Sequence, residues 1–112
     1  MKRSFRLKSS EEIKHIRQAG ISYSTPLVVL ITLPNQSSQT RIAVVASRSV
    51  GGAVQRNRCK RLIREAAAPF IEQIQTGNDI IIIARSRLIG VEFEQVIQAI
   101  ESLLEKSKLI RT

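Results

Sequence analysis

Arg56, Asn57, Arg58, Lys60, Arg61 and Arg64 lie together in the stretch QRNRCKRLIRE, residues 55–65, and no acid interrupts them before Glu65. The chemistry such residues can do is recognition of anions. A guanidinium offers a planar fork of donors to a phosphate, and an asparagine amide offers a donor and an acceptor side by side. On a helix this arrangement is unfavourable by itself. The like-charged pairs 56/60, 58/61, 60/64 and 61/64 each cost about 0.2–0.5 kcal/mol, and Arg56 and Arg58 sit near the positive end of the helix dipole. A solvated surface would tolerate that cost, but a polyanionic partner would offset it. Gly51-Gly52, just upstream, either makes a plain turn or lets bare backbone approach a phosphate at the helix N-terminus.

Groups suited to catalysis are scarce. His15 is the sole histidine, and no serine or cysteine is placed as its partner, so it reads as an ordinary helical side chain. Cys59 falls on an apolar stripe and reads as a small core residue rather than a nucleophile. A self-sufficient metallonuclease would need a carboxylate cluster, for which Asp79, Glu92 and Glu94 are the candidates. Glu92/Glu94 and Glu101/Glu105 fit the solvated face of a helix better. The sequence therefore assigns no catalytic residue and no metal ligand to this chain.

Charge is distributed unevenly. The 112 residues carry a net charge of +9. Between Ile13 and Arg64 there is no Asp or Glu against nine Lys and Arg, whereas residues 65–112 hold seven acids and five bases. Such asymmetry points to a binding face for polyanions rather than to solubility alone. The length suits one domain with a single core, residues 1–112. A lone cysteine excludes an intramolecular disulfide and fits a reducing, cytoplasmic compartment. No apolar region of signal-peptide type follows the basic start, and the runs Leu27–Ile31 and Ile80–Ala84 are too short to span a bilayer.

The elements that must position these residues follow from local pattern. Residues 1–8, MKRSFRLK, read as a flexible basic arm carrying Phe5. Ser9-Ser10-Glu11-Glu12 reads as a capping box that opens a short helix bearing Ile13 and Ile16 and stopping at Gly20. Ile21–Thr25 is either a short edge strand or a connection. Leu27–Leu33 is a β-branched strand, and Arg41–Ser47 is expected to pair with it as an antiparallel neighbour. The basic helix follows, with apolar positions 59, 62, 63, 66, 67 and 70. Its wheel puts Asn57, Lys60, Arg61 and Arg64 opposite that stripe and Arg56 and Arg58 on the flanks. Pro69 should kink or interrupt it. Asp79–Arg85 is apolar without alternation, as in a strand buried on both faces. Phe93, Val96, Ile97, Ile100, Leu103 and Leu104 mark a final amphipathic helix. The order α-β-β-β-α-β-α predicts an α/β (α+β) two-layer sandwich. Phe70 and Phe93 fall on core stripes, which leaves Phe5 and Tyr23 as the rings able to stack on bases. Residue physics thus points to a nucleic-acid-binding domain dominated by backbone contacts, with RNA and DNA both open.

The stretch SVGGAVQRNRCKRLIREA resembles the signature of the bacterial ribonuclease P protein family, an Arg-Asn-Arg sequence followed by a basic amphipathic helix. FRLKSSEEIKHIRQAG is similar to that family's opening and DIIIIAR to its buried strand, so the resemblance spans nearly the whole chain. It implies the protein subunit of a ribonucleoprotein endoribonuclease that removes the 5′ leader from precursor tRNA. The partners implied are the catalytic RNA and precursor tRNA, with no further protein required and no membrane. Catalysis would belong to the RNA, using Mg²⁺ held mainly by RNA and substrate and none bound by the protein alone. The RNA-binding role would fall on Arg48, Ser49, Arg56, Asn57, Arg58, Lys60, Arg61 and Arg64. A leader-binding cleft between the first helix and the sheet would involve Phe5, Ile13, Arg17, Val29 and Ile31. Here the chain departs from the family, since positions frequently aromatic are Ile13, Arg17 and Ile31. The resemblance also implies a left-handed βαβ crossover, against the usual hand of such connections.

Two other readings compete. A ribosomal or general RNA-binding protein of similar fold would bind structured RNA without stimulating tRNA maturation, and a metallonuclease would cleave unaided. A membrane-surface role is disfavoured because the apolar side of the basic helix is committed to a core.

Overall fold

A computed structural model describes residues 9–110. The expected arm at residues 1–8, with Phe5, lies outside the described residues. Helix α1 (Ser10–Ala19) has Ser9 as its N-cap, as expected, with the Glu12 amide donating to Ser9 Oγ at 3.3 Å. The Glu12 carboxylate, however, turns to Arg41 instead of reaching back to complete a capping box. The helix ends at Gly20, whose amide donates to Ile16 O at 2.8 Å. This glycine is required for space, not torsion. A Cβ there would stand 2.7 Å from both Ile16 O and Ile31 Cγ2 and 2.9 Å from Thr32 O. The close approach lets the chain turn directly from α1 into β1 (Ile21–Ser24), which settles that segment as an edge strand.

Strands β2 (Val28–Pro34), β3 (Arg41–Ala46) and β4 (Asn78–Ala84) complete one four-stranded sheet in the order β1-β2-β4-β3. This corrects the expected β2–β3 hairpin. β2 pairs antiparallel with β4, and β3 pairs parallel with β4. The physical reason lies in β4 itself. Asp79 to Ala84 are all buried, so the strand needs neighbours on both edges and cover on both faces. It takes the inner place between β2 and β3, and helix α2 (Ala53–Ala67) becomes the crossover that joins the parallel pair.

On one face of the sheet α2 packs with α3 (Phe93–Lys106) over the main core, which includes Leu30, Ile42, Ile63, Ile80, Ile82, Ile100 and Leu103. Pro69 does interrupt the basic helix: α2 stops at Ala67 and a 3₁₀ turn, Ala68–Gln73, follows. Phe70 and Ile74 remain buried beyond the break. Phe93 departs from expectation. It opens α3 and is 40% exposed, because the stripe is buried only from Val96 onward. Tyr23 departs as well. It pairs with Leu30 across β1–β2 and packs half-buried against the main core, on the side away from α1.

Among the described residues the opposite face carries only α1, over a smaller cluster of Ile16, Ile31, Ala43, Ile81 and Ile83. Ile16 is the only fully buried side chain of α1. Its burial contributes about 2 kcal/mol, and a ten-residue helix would not persist in isolation. What else holds α1 in place is therefore a pertinent question.

Candidate nucleic-acid interface

The C-terminal ends of β3 and β4 lie side by side, since Ala46 is in register with Ala84. The segments that leave these ends carry Arg48, Arg85 and Arg87 and no acid. After β3 comes a 3₁₀ turn, Arg48–Val50, anchored by buried Val50 while Arg48 and Ser49 stand exposed. Ser49 Oγ lies 2.8 Å from Ser47 Oγ, which orients the pair. Gly51 then adopts φ 136°, a backbone conformation that side-chain-bearing residues rarely take, and hands over to Gly52 as the N-cap of α2. No side chain caps this helix and its first turn holds no acid. Residues 51–55 are all exposed, so the orphan amides of α2 face solvent with partial positive charge.

Along α2 the outermost basic residues are Arg58 and Arg61, with Asn57 exposed beside them. Lys60 and Arg64 are half-buried on the flank. Arg56 differs from the wheel reading. Three and seven residues before Cys59 and Ile63, it lies in line with the buried stripe and is half-buried near the helix start. Val54, 81% exposed, continues the outward line. Among the described residues, Arg48, Arg56, Arg58, Lys60 and Arg61 form no ion pair.

Two further cations reach this end of the sheet. Arg85 precedes, and Arg87 lies within, a second 3₁₀ turn, Ser86–Leu88, which packs against the turn at Arg48–Val50. With Ser24, Thr25, Pro26 and Ser86 they wall a cavity of about 420 Å³ that contains no carboxylate. Arg85 Nη1 donates to Thr25 O at 3.0 Å, which fixes its guanidinium across the β1–β2 turn. Sequence inspection passed over both arginines, because they sit in a segment whose overall balance is acidic and only folding brings them beside Arg48.

Arg41 is the opposite case. It belongs to the acid-free run of sequence, yet it is paired on both sides. Its Nη1 meets Glu12 Oε2 at 2.7 Å, and its Nε and Nη2 donate to Asp79 Oδ1 and Oδ2 at 3.0 and 2.9 Å. Asp79 is 6% exposed and also accepts from Asn35 Nδ2 at 2.8 Å. The bond to Asp79, opposed in part by burial, raises the Arg41 pKa further above its ordinary value. Among the described residues no three His, Cys, Asp or Glu side chains gather as a metal site. Cys59 is buried, and burial pushes its thiol pKa up, away from nucleophilic chemistry.

The α1 face of the sheet is ordered in rows set by the register. Leu33, Asp79 and Arg41 form one, Ile31, Ile81 and Ala43 the next, and Val29, Ile83 and Val45 the third. Glu11, Glu12 and His15 flank the first row and, with Leu33, Pro34, Asn35, Arg41 and Asp79, line a cavity of about 380 Å³. At about 100° per residue, Ile13 and Arg17 fall on the other flank of Ile16. Ile13, Val29 and Val45 are half-buried against the small cluster that contains Ile31, and Arg17 is exposed. The fold thus places Ile13, Arg17, Val29 and Ile31 on one side of the sheet, beside its apolar α1-facing rows. Those rows run toward the ends of β3 and β4, where Arg85 and Arg48 stand. No helix among the described residues is long and apolar enough to cross a membrane.

Residues 1–108 match the family model described as Ribonuclease P. The ribonuclease P protein component of Herpetosiphon aurantiacus is 38% identical over 97% of this chain and 89% of its own length. That of Chloroflexus aurantiacus is 34% identical over 98% and 82%. The solved RNase P protein of Staphylococcus aureus superposes with a TM-score of 0.85 at 29% identity, covering 96% of this chain and 98% of that one. The RNase P protein from Thermotoga maritima gives 0.80 at 28% identity, covering 90% and 96%.

Proposed function

Because the chain belongs to the ribonuclease P protein family, we propose that it binds the catalytic RNA along α2 and the 5′ leader of precursor tRNA along the groove beside α1. A member of that family is the protein component of an endoribonuclease complex that processes tRNA 5′ ends. The finer assignment rests on one observation: Arg58, Arg61 and Asn57 face solvent together beside an uncapped helix N-terminus, with no acidic partner. Such a surface suits the phosphates of a folded RNA.

In this reading Arg48, Ser49, Arg56, Lys60 and Arg64 border the same contact, and Asn57 makes a directional hydrogen bond within it. The leader lies as a single strand over Val29, Ile31 and Ile13, with Arg17 on its phosphates. Ile13, Arg17 and Ile31 supply no ring and Tyr23 points to the other face. The described part of the groove therefore holds bases by apolar contact, and Phe5, outside the described residues, is the ring left to stack on them. The chain works in the cytoplasm, where precursor tRNA is made. Bond cleavage is assigned to the RNA subunit. Among the described residues the carboxylates do not gather into a metal-binding cluster, and Asp79 is already engaged by Arg41 and Asn35. Mg²⁺ is therefore placed with the RNA and substrate phosphates.

The test is a titration of the catalytic RNA with wild-type protein and with Asn57→Ala. A clear loss of affinity in the variant is expected, and equal affinity would remove the directional contact from the account.

A further inference from the structure

We propose that Arg41 is a positioning residue: by bridging Glu12 on α1 to Asp79 on β4, it fixes how α1 sits over the sheet and so sets the shape of the leader groove. The inference rests on the groove reading above. Helix α1 is held along its length, with Ile13 and Ile16 packed on the small cluster. At its C-terminal end Gly20 is pressed against Ile31 and Thr32 with no room for a side chain. At its middle Ile16 is buried to 1% exposure. Its N-terminal half is tied to the sheet through Glu12 and Arg41.

That tie is prepared before Glu12 arrives. Asp79 is held on an inner strand and by Asn35, and its two oxygens fix the guanidinium plane through Nε and Nη2. The remaining nitrogen, Nη1, is left aimed at Glu12. With all three nitrogens on carboxylates, Arg41 is not a phosphate ligand, although it lies in the acid-free run of sequence. The bridge also gives α1 two unlike flanks. Glu11, Glu12 and Asp79 make one flank repel phosphate, while Ile13 and Arg17 leave the other open to a single strand. Releasing Glu12 lets the N-terminal half of α1 lift about Ile16 and Gly20. Ile13 then loses its place against the small cluster beneath α1.

Arg41→Ala is a poor probe, because it strands buried Asp79 and the chain could fail to fold. Glu12→Gln keeps the capping interaction and the Arg41–Asp79 pair. Glu11→Gln is its control: it removes the same charge from the first turn of α1 without touching Arg41. Each variant, with Glu12→Asp as the conservative rescue, is reconstituted with the catalytic RNA. Affinity is then measured for precursors bearing a long leader and a single-nucleotide leader. Amide exchange of α1 and α2 is followed in the protein alone.

For Glu12→Gln the expected result is a roughly three- to fivefold loss of the long-leader preference, the range of a half-exposed ion pair. Exchange should be faster in the N-terminal half of α1, with α2 exchange and affinity for the catalytic RNA unchanged. Glu11→Gln and Glu12→Asp should stay close to wild type. A Glu12→Gln protein that matches wild type in leader preference overturns the inference, as does one that loses RNA affinity and α2 protection in parallel. If wild type itself shows no leader preference, the groove reading fails, and the purpose assigned to Arg41 falls with it.

Discussion

Arg41 on β3 and Asp79 on β4 face each other in register across the parallel pair and share two side-chain hydrogen bonds, of 3.0 and 2.9 Å. This one relationship removes a cation from the apparent RNA-binding surface and a carboxylate from any nuclease centre. Asp79→Ala should therefore act on stability. Breaking a buried pair by deleting one partner costs several kcal/mol, and because the Arg41 side chain is 33% exposed the cost is reduced to about 2 kcal/mol. Urea denaturation would show the lowered midpoint. Loss of RNA cleavage by a fully stable Asp79→Ala protein would instead revive the metallonuclease reading.

Arg58→Ala and Arg61→Ala should each weaken binding to the catalytic RNA. Each should also lower the slope of log affinity against log salt by about 0.7–0.9, one phosphate contact apiece. Stability should hold or rise by about 0.2–0.5 kcal/mol, because each substitution relieves like-charge repulsion on α2. Unchanged salt slopes in both variants would remove α2 from the RNA contact.

Gly20→Ala should disturb α1 without touching α2. Its methyl would need the space held by Ile16 O, Ile31 Cγ2 and Thr32 O, two of which are backbone and cannot yield cheaply. A loss of about 1–3 kcal/mol follows from overpacking. Leader preference should fall while affinity for the catalytic RNA persists. Thermal unfolding and the same RNA titration check both halves.

Cys59 makes a pH-dependent contribution whose sign is determined. Burial raises its thiol pKa in the folded state, with Arg58 pulling part of the way back. The stabilising preference for the neutral thiol is complete below the unfolded thiol pKa of about 8.5 and is lost as pH rises through the folded value. Wild type should lose stability between neutral and strongly alkaline pH by more than Cys59→Ala does. Parallel pH profiles for the two proteins would contradict this.

Much of the fold was legible because local chemistry dominates its elements. Ser9, Gly20, Gly51, Pro69 and the unbroken Ile80–Ile83 run mark boundaries and burial without tertiary information. Strand pairing was not legible in the same way. β2 and β3 are consecutive and each is a good strand, so adjacency favoured a hairpin. The decisive clue was already in β4, since a strand apolar on both faces cannot stay at an edge. The α2 surface was readable from charge and period together, except that Arg56 lies over the buried stripe. Arg41 misled because a count along the chain cannot see Asp79 and Glu12 converging from distant positions. Arg85 and Arg87 were missed for the mirror-image reason. Tyr23 was readable as an aromatic on a strand, but its face depends on the register with Leu30.

On the proposed function, this chain supports RNA-catalysed maturation of precursor tRNA and does not itself cut. The most direct measurement is 5′ leader removal from a precursor tRNA at a few millimolar Mg²⁺, comparing catalytic RNA alone, protein alone and the two together. Strong stimulation in the mixture, with no cleavage by the protein alone, is the predicted result. Cleavage by the protein alone, or tight RNA binding without stimulation, would contradict it.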